Sequence, residues 1–207
     1  KLEKFQLKEK TALITGAGGL LGFEHAMALL EVDANLVLTD IDNHNLQINK
    51  AKLESYNPNS KIYSYVIDIS SKSSILDVLQ DLKRNKIYVD ILINNAAINP
   101  KVNRDLKLNS SSRFEDFCIQ EWNKQIQVGL TGAFLCSQIF GSAMARSKKG
   151  GCILNIASDL SVNLDSTSFW SIGPQVQITG DGNGAKARAL VDSTLNANVV
   201  ANVQIVA

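Results

Sequence analysis

The 207-residue chain is predicted to fold as an α/β protein. Its core is a doubly wound parallel sheet of strand order 3-2-1-4-5, truncated after the fifth strand and followed by a short β-rich tail. Three observations predict this. Up to about residue 158, short β-rich runs alternate with longer amphipathic stretches, the pattern of parallel strands joined by crossover helices. A glycine-rich segment at residues 15–22 falls directly between the first such run and the first helix. Beyond residue 158 the alternation ends and glycine-containing turn dipeptides take over.

Each element follows from its own run of residues. Thr11–Thr15 predicts the first strand, Leu20–Glu31 the first helix, Asn35–Thr39 the second strand and His44–Tyr56 the second helix. Lys61–Ile67, Ser71–Arg84 and Val89–Ile93 continue as strand, helix and strand. Asn99–Glu115 is rich in Asn, Ser and Lys and reads as a loop at the mouth of a cleft. Ile119–Arg146 predicts one long helix. Its apolar spacing through Trp122, Ile126, Leu130, Phe134 and Ile139 puts one face on the sheet and leaves another for a partner, such as a second copy of the chain.

Cys152–Ala157 is the fifth strand, and past Ser158 the texture changes. Asp165–Ser171 is polar, after which Pro174–Thr179, Ala185–Asp192 and Asn198–Val206 read as short strands. Asp181-Gly182 and Asn183-Gly184 between the first two are hairpin-turn signals. A boundary near residues 160–172 therefore separates a sheet domain, 1–160, from a β-rich tail, 161–207.

Bulk properties narrow the function. With 45% hydrophobic and 20% charged residues the chain is globular rather than disordered. Its 21 basic and 20 acidic residues leave a formal charge of +1 and no basic field for nucleic acid or acidic lipid, so a small-molecule partner is expected. Cys118, Cys136 and Cys152 lack metal-ligand or redox spacing, which predicts reduced, packed thiols in a cytoplasmic protein. Lys1–Lys10 is polar with no apolar stretch behind it, and no apolar run approaches the roughly 20 residues that span a bilayer, so neither signal peptide nor anchor is expected. His25 and His44 are too few and too separated for a metal site or a catalytic triad, and read as surface or helix-end residues.

The residues that carry chemistry lie at the strand ends. Thr15-Gly16-Ala17-Gly18-Gly19-Leu20-Leu21-Gly22 follows a strand and opens a helix. There glycines let the backbone turn sharply and approach a pyrophosphate at the positive end of the helix. Asp40 ends the second strand about 20 residues on, placed to accept hydrogen bonds from ribose hydroxyls and to repel a 2′-phosphate, which favours NAD over NADP. Asp42 lies close by and is the competing candidate. Asp68-Ile69 ends the third strand, where its carboxylate is near the place of an adenine, and Asn94-Asn95-Ala96-Ala97 follows the fourth at the edge where open α/β sheets bind ligands.

This ordered set resembles the short-chain dehydrogenase/reductase family, a Rossmann-like fold whose pattern is TGxxxGxG, an acidic residue after the second strand, an Asp-hydrophobic pair, NNAG, a Ser after the fifth strand, and Tyr-x-x-x-Lys. The resemblance covers about three quarters of the chain. It implies hydride transfer between a nicotinamide cofactor and an alcohol or ketone. Gly16, Gly18, Gly19, Leu20, Leu21, Gly22, Asp40, Asp68, Ile69, Asn94 and Ala96 would then hold NAD, and Ser158 would position the carbonyl. Residues 94–100, 112–117 and 128–134 are similar to a bacterial subgroup described as flagellin-modification or surface-sugar oxidoreductases.

Three departures stand beside these matches. Leu20 occupies the middle glycine position, and Gly129 stands where the family usually has an Asn on the long helix that holds a proton-relay water. The third is larger. Tyr56, Tyr63, Tyr65 and Tyr88 all precede Ser158, none has Lys four residues later, and Lys186 is the only lysine after Ser158. The family's Tyr–Lys acid and its last two strands are thus not recognisable, which leaves two other readings. One is a dinucleotide-binding module impaired in catalysis. The other is a structural protein acting through its tail, where residues 173–189 are similar to glycine-punctuated β-repeats of phage tail and cell-surface proteins.

Overall fold

The computed structural model describes residues 5–98, 118–147 and 149–158, together with the strand backbone of 187–188 and 199–206. Five parallel strands, β1 (Thr11–Thr15), β2 (Asn35–Asp40), β3 (Ile62–Val66), β4 (Ile91–Asn94) and β5 (Gly151–Ser158), lie in the order β3-β2-β1-β4-β5. Helices α1 (Leu20–Glu31), α2 (Asn43–Tyr56), α3 (Lys72–Arg84) and α4 (Ile119–Arg146) lie between successive strands. This is the predicted Rossmann-like sheet.

The tail adds β6 (Ala187–Arg188) and β7 (Val199–Val206). β7 runs antiparallel along all of β5, from Gly151 opposite Val206 to Ser158 opposite Val199, and so extends the sheet beyond its fifth strand. Of the predicted tail strands, the last is present within one residue, and Ala185–Asp192 contributes β6. Pro174–Thr179, the two turn dipeptides, the boundary at 160–172, Lys186 and the loop at Asn99–Glu115 lie outside the described residues.

Alternation along the strands builds two cores. Leu13, Val37, Leu92 and Ile153 face Ile75 and Leu82 of α3 and Cys136, Phe140 and Met144 of α4. Ala12, Ile14, Leu36, Leu38 and Ile93 face Ala26 and Leu30 of α1 and Leu46 and Leu53 of α2. Strands covered on both faces favour consecutive apolar residues, which is why β1 and β2 carry the runs Ala12–Ile14 and Leu36–Leu38, flanked by buried threonines.

The helix starts differ in a way that matters for function. Asp42 caps α2 by accepting from the Asn45 N–H at 3.2 Å, and Ser71 caps α3 by accepting from the Ser74 N–H at 3.4 Å. α1 has Gly19 at its N-cap, with no side-chain cap and no acidic residue in its first turn. Its leading N–H groups and the positive end of its dipole stay open.

α4 corrects two expectations. Its sheet-facing side is Gln125, Gly129, Gly132, Ala133, Cys136, Ser137, Phe140 and Met144, whereas Trp122, Ile126 and Leu130 are half-buried and Phe134 is 42% exposed. Small residues let α4 approach closely. A Cβ on Gly132 would stand 2.7 Å from Ile69 Cδ1. A search for large apolar side chains therefore picks the neighbouring stripe, of which only Ile139 is buried. The helix winds with π-type turns at Gln127–Gly132 and Ser137–Gly141, which shift its contact face along the way. α4 is also long and apolar enough to cross a membrane by length and composition, contrary to the sequence reading. Half of that window is buried inside the fold, as in a core helix.

Candidate functional site

The glycine segment forms a tight loop at the carboxyl edge of the sheet, pinned from three sides. Gly16 sits at φ +70°, and a Cβ there would stand 2.8 Å from Ala96 Cα, so both the turn and the closeness of the β4 chain demand glycine. At the other end a Cβ on Gly22 would stand 2.7 Å from Ala17 Cα, which lets α1 start directly under the loop. Thr15, fully buried, accepts at Oγ1 from the N–H groups of Asn95 at 3.0 Å and Ala96 at 3.1 Å and donates to Ile93 O at 3.3 Å.

Two carboxamides hold the loop carbonyls. Asn49 on α2 donates from Nδ2 to Ala17 O at 3.0 Å and Gly18 O at 3.1 Å, and Asn95 donates to Thr15 O at 3.0 Å and Gly16 O at 3.3 Å. With the carbonyls engaged and α1 uncapped, the loop presents the open N–H groups of a helix start, a ready-made anion site. Leu20, at the middle glycine position, points its side chain to solvent at 80% exposure and does not fill the loop. Leu21 is 49% exposed beside it, and Gly19 is exposed as well.

Asp40, rather than Asp42, reaches this loop. Its Oδ2 accepts from the Gly18 N–H at 2.8 Å and its Oδ1 from the Asp42 N–H at 2.9 Å. A carboxylate offers about four acceptor positions, so room remains for two more donors such as vicinal hydroxyls. Asp42 instead faces Asn45, whose backbone N–H holds its carboxyl below the usual range.

The remaining predicted residues divide between edge and interior. Asp68, half-buried at the end of β3, accepts at Oδ1 from the Ser70 N–H at 2.9 Å and the Ser70 hydroxyl at 2.6 Å. Ile69 is buried against Gly132 of α4. Asn94 is only 3% exposed. Its amide donates to Ser137 Oγ at 2.9 Å and Asn155 Oδ1 at 2.8 Å, which ties β4 to β5 and α4, while its own Oδ1 is buried without a partner. Ala96 packs on Gly16, and Ser158 is the last residue of β5, at the same carboxyl edge.

Sequence reasoning missed Asn49, Asn95 and Thr15 as loop holders. A signal for Asn49 exists, since Leu46, Asn49 and Leu53 share the buried face of α2 and a lone amide there needs a partner. His25, expected at the surface, is half-buried with its Nε2 buried and unpartnered. None of the tyrosines stands beside Ser158. Tyr65 donates to Asp81 of α3 at 3.0 Å, Tyr63 and Tyr88 line a cavity at the opposite sheet edge, and Tyr56 is exposed at the end of α2.

The chain matches the short chain dehydrogenase family over residues 10–168. It is 32% identical over 160 residues to the 2-dehydro-3-deoxy-D-gluconate 5-dehydrogenase of Bacillus subtilis (strain 168), covering 77% of this chain and 57% of that protein. To the NAD-dependent glycerol dehydrogenase of Listeria innocua it is 31% identical over 158 residues, covering 76% and 56%. Among solved structures it superposes on levodione reductase with a TM-score of 0.61 at 26% identity, over 72% of this chain and 54% of that one. The chain thus spans a little over half the length of these relatives. Because the family match runs from the residue before β1 to beyond the end of β5, it takes in every element that builds the loop. The chain therefore belongs to the short-chain dehydrogenase/reductase family, whose members are nicotinamide-dependent oxidoreductases.

Proposed function

We propose that the chain binds NAD and serves an oxidoreductase acting on an alcohol or ketone, of which a sugar derivative or polyol is the favoured class. The observation that carries this reading is the Asp40 carboxylate lying on the glycine loop, 2.8 Å from the Gly18 N–H. It accepts from the adenosine ribose hydroxyls and repels a 2′-phosphate. The open start of α1 and the loop glycines suit a pyrophosphate, and the carboxylate beside them suits an unphosphorylated ribose, so the residues present fit the dinucleotide. When bound, the nicotinamide supplies or takes up the hydride. The chain's own part is to hold the dinucleotide at Gly16 to Gly22, Asp40 and Asp68, and at Ser158 to hold the substrate oxygen by a hydrogen bond. The names of the Bacillus and Listeria relatives, a sugar-acid and a glycerol dehydrogenase, support the substrate class.

Fluorescence titration tests the cofactor. NADH is expected to bind about tenfold or more tightly than NADPH, roughly 1.4 kcal/mol, and Asp40→Ala to narrow the gap. Equal affinities in the unmodified protein would overturn the assignment.

A second reading has its own support in the positions of the four tyrosines, none of which is followed by Lys at four residues or stands near Ser158. On it, the chain is a dinucleotide-binding module whose proton donor is absent, a loss that costs about 10² to 10⁴ in rate. NADH oxidation with a panel of ketones and keto-sugars separates the two. Turnover near 1 s⁻¹ or above, within the roughly 1 to 10³ s⁻¹ usual for enzymes, excludes the impaired module.

A further inference from the structure

The amino edge of the parallel sheet, opposite the glycine loop, carries a cavity of about 830 Å³, within the range of small-molecule sites. It opens beside Thr11 and Asn35, at the starts of β1 and β2, and runs to the last turn of α4 at Arg146. Its lining includes the partly exposed apolar residues Ile87, Val89 and Ala143, with Leu79 and Phe140 buried next to them. Tyr63 and Tyr88 add aromatic faces, and Tyr88 is 62% exposed although it belongs to the cavity wall.

The rim is cationic. Lys61, Lys83, Lys86, Arg146 and Lys149 all line the opening, and none of them forms an ion pair with the described residues. The acids on the same wall are Glu9 and Asp90. Asp90 is already engaged, accepting from Lys10 Nζ at 3.2 Å and the Thr11 N–H at 3.0 Å. The chain as a whole carries only +1, so this is a local concentration of charge rather than a basic protein.

Helix dipoles explain part of it, because Lys83 and Arg146 sit in the last turns of α3 and α4, where a cation is favoured. They do not explain Lys61, which precedes a strand, or Lys86 and Lys149, which lie in loops beyond those turns, since the dipole's effect fades within the last turn. Five like charges lining one pocket disfavour one another, and an anion seated among them relieves that repulsion.

We propose that this cavity is a second binding site, for an organic anion with an aromatic or apolar body whose charged group meets the lysine rim while its body lies on Ile87, Val89 and the two tyrosines. The assignment is independent of what the glycine loop binds.

The test uses the full chain and the fluorescent anion anilinonaphthalene sulfonate, with saturating NAD present to fill any dinucleotide site. Binding is expected to weaken at least tenfold in the double variant Lys86→Glu/Lys149→Glu, whose exposed positions leave the fold intact by circular dichroism. The Lys86→Arg/Lys149→Arg variant, which keeps both charges, should bind as the parent does. Unchanged affinity in the charge-reversed protein, equal loss in both variants, or absence of binding to the parent chain overturns the proposal.

Discussion

The N–H of Gly18 donates to the Asp40 carboxylate at 2.8 Å, and a Cβ on Gly18 would stand 2.9 Å from that same oxygen. The glycine loop and the end of β2 are therefore fitted to one another through a space that only a hydrogen atom can share. Because the nearest atoms belong to the Asp40 carboxylate, with the Leu46 backbone N next at 3.3 Å, Gly18→Ala chiefly moves the carboxylate rather than breaking the fold. The thermal midpoint should change little, while the preference for NADH over NADPH falls several-fold. Paired cofactor titrations and a melting curve check this, and an unchanged preference would show that Asp40 does not set it.

Asn49 is 9% exposed and supplies the donor for two loop carbonyls. Removing it in Asn49→Ala leaves Ala17 O and Gly18 O without that partner, at a cost of about 1–3 kcal/mol in urea unfolding. Asn49→Asp should cost more, since a carboxylate would face two carbonyl oxygens. Dinucleotide affinity should fall in both. A variant as stable as the parent would mean that the loop carbonyls find water instead.

The sheet was legible because its cause is local: Ala12 to Ile14 and Leu36 to Leu38 must be apolar on both faces, and the glycines between β1 and α1 punctuate the run. Asp40 was legible from its distance to the glycines. What stayed hidden depends on tertiary approach. The contact face of α4 is built from Gly129, Gly132, Ala133 and Ser137, residues whose smallness carries no periodic apolar signal. The carboxamides of Asn95 and Asn94 point into different networks, one to the loop and one to Ser137 and Asn155, and their adjacency in sequence gives no hint of it. The strand at Asn198–Val206 was legible in the sequence, but its antiparallel partner β5 was not.

The three thiols should react in a fixed order. Cys136 is fully buried, and burial pushes its thiol up to about 12, while Cys152 is partly buried and raised for the same reason. Cys118 is exposed at the start of α4. Since the thiolate is the reactive form, iodoacetamide should label Cys118 first, Cys152 slowly, and Cys136 only on unfolding. Peptide mapping after brief labelling checks the order. Early modification of Cys136 in folded protein would contradict its burial.

His25 should make the fold sensitive to mild acid. It sits half-buried on α1 with Nε2 buried and unpartnered. Burial lowers its pKa below the usual 6.5, against smaller opposing effects from a hydrogen bond to Asn95 and the charge of Glu24. The folded state therefore holds the imidazole neutral at pH values where the unfolded chain has already bound a proton. Stability from this group is complete above about pH 6.5 and is lost progressively as pH falls from there through the folded pKa, below which it levels off. Asn95 links the event to the glycine loop, because its side chain also bonds Thr15 O and Gly16 O, so a charged imidazole should loosen dinucleotide binding over the same interval. His25→Gln removes the titrating group. Its thermal midpoint should decline less than the parent's between about pH 7 and pH 5. The direct check is an NMR titration of the His25 ring in the folded protein. A midpoint at or above 6.5 would show that the ring is solvated and that any acid lability of the chain arises elsewhere.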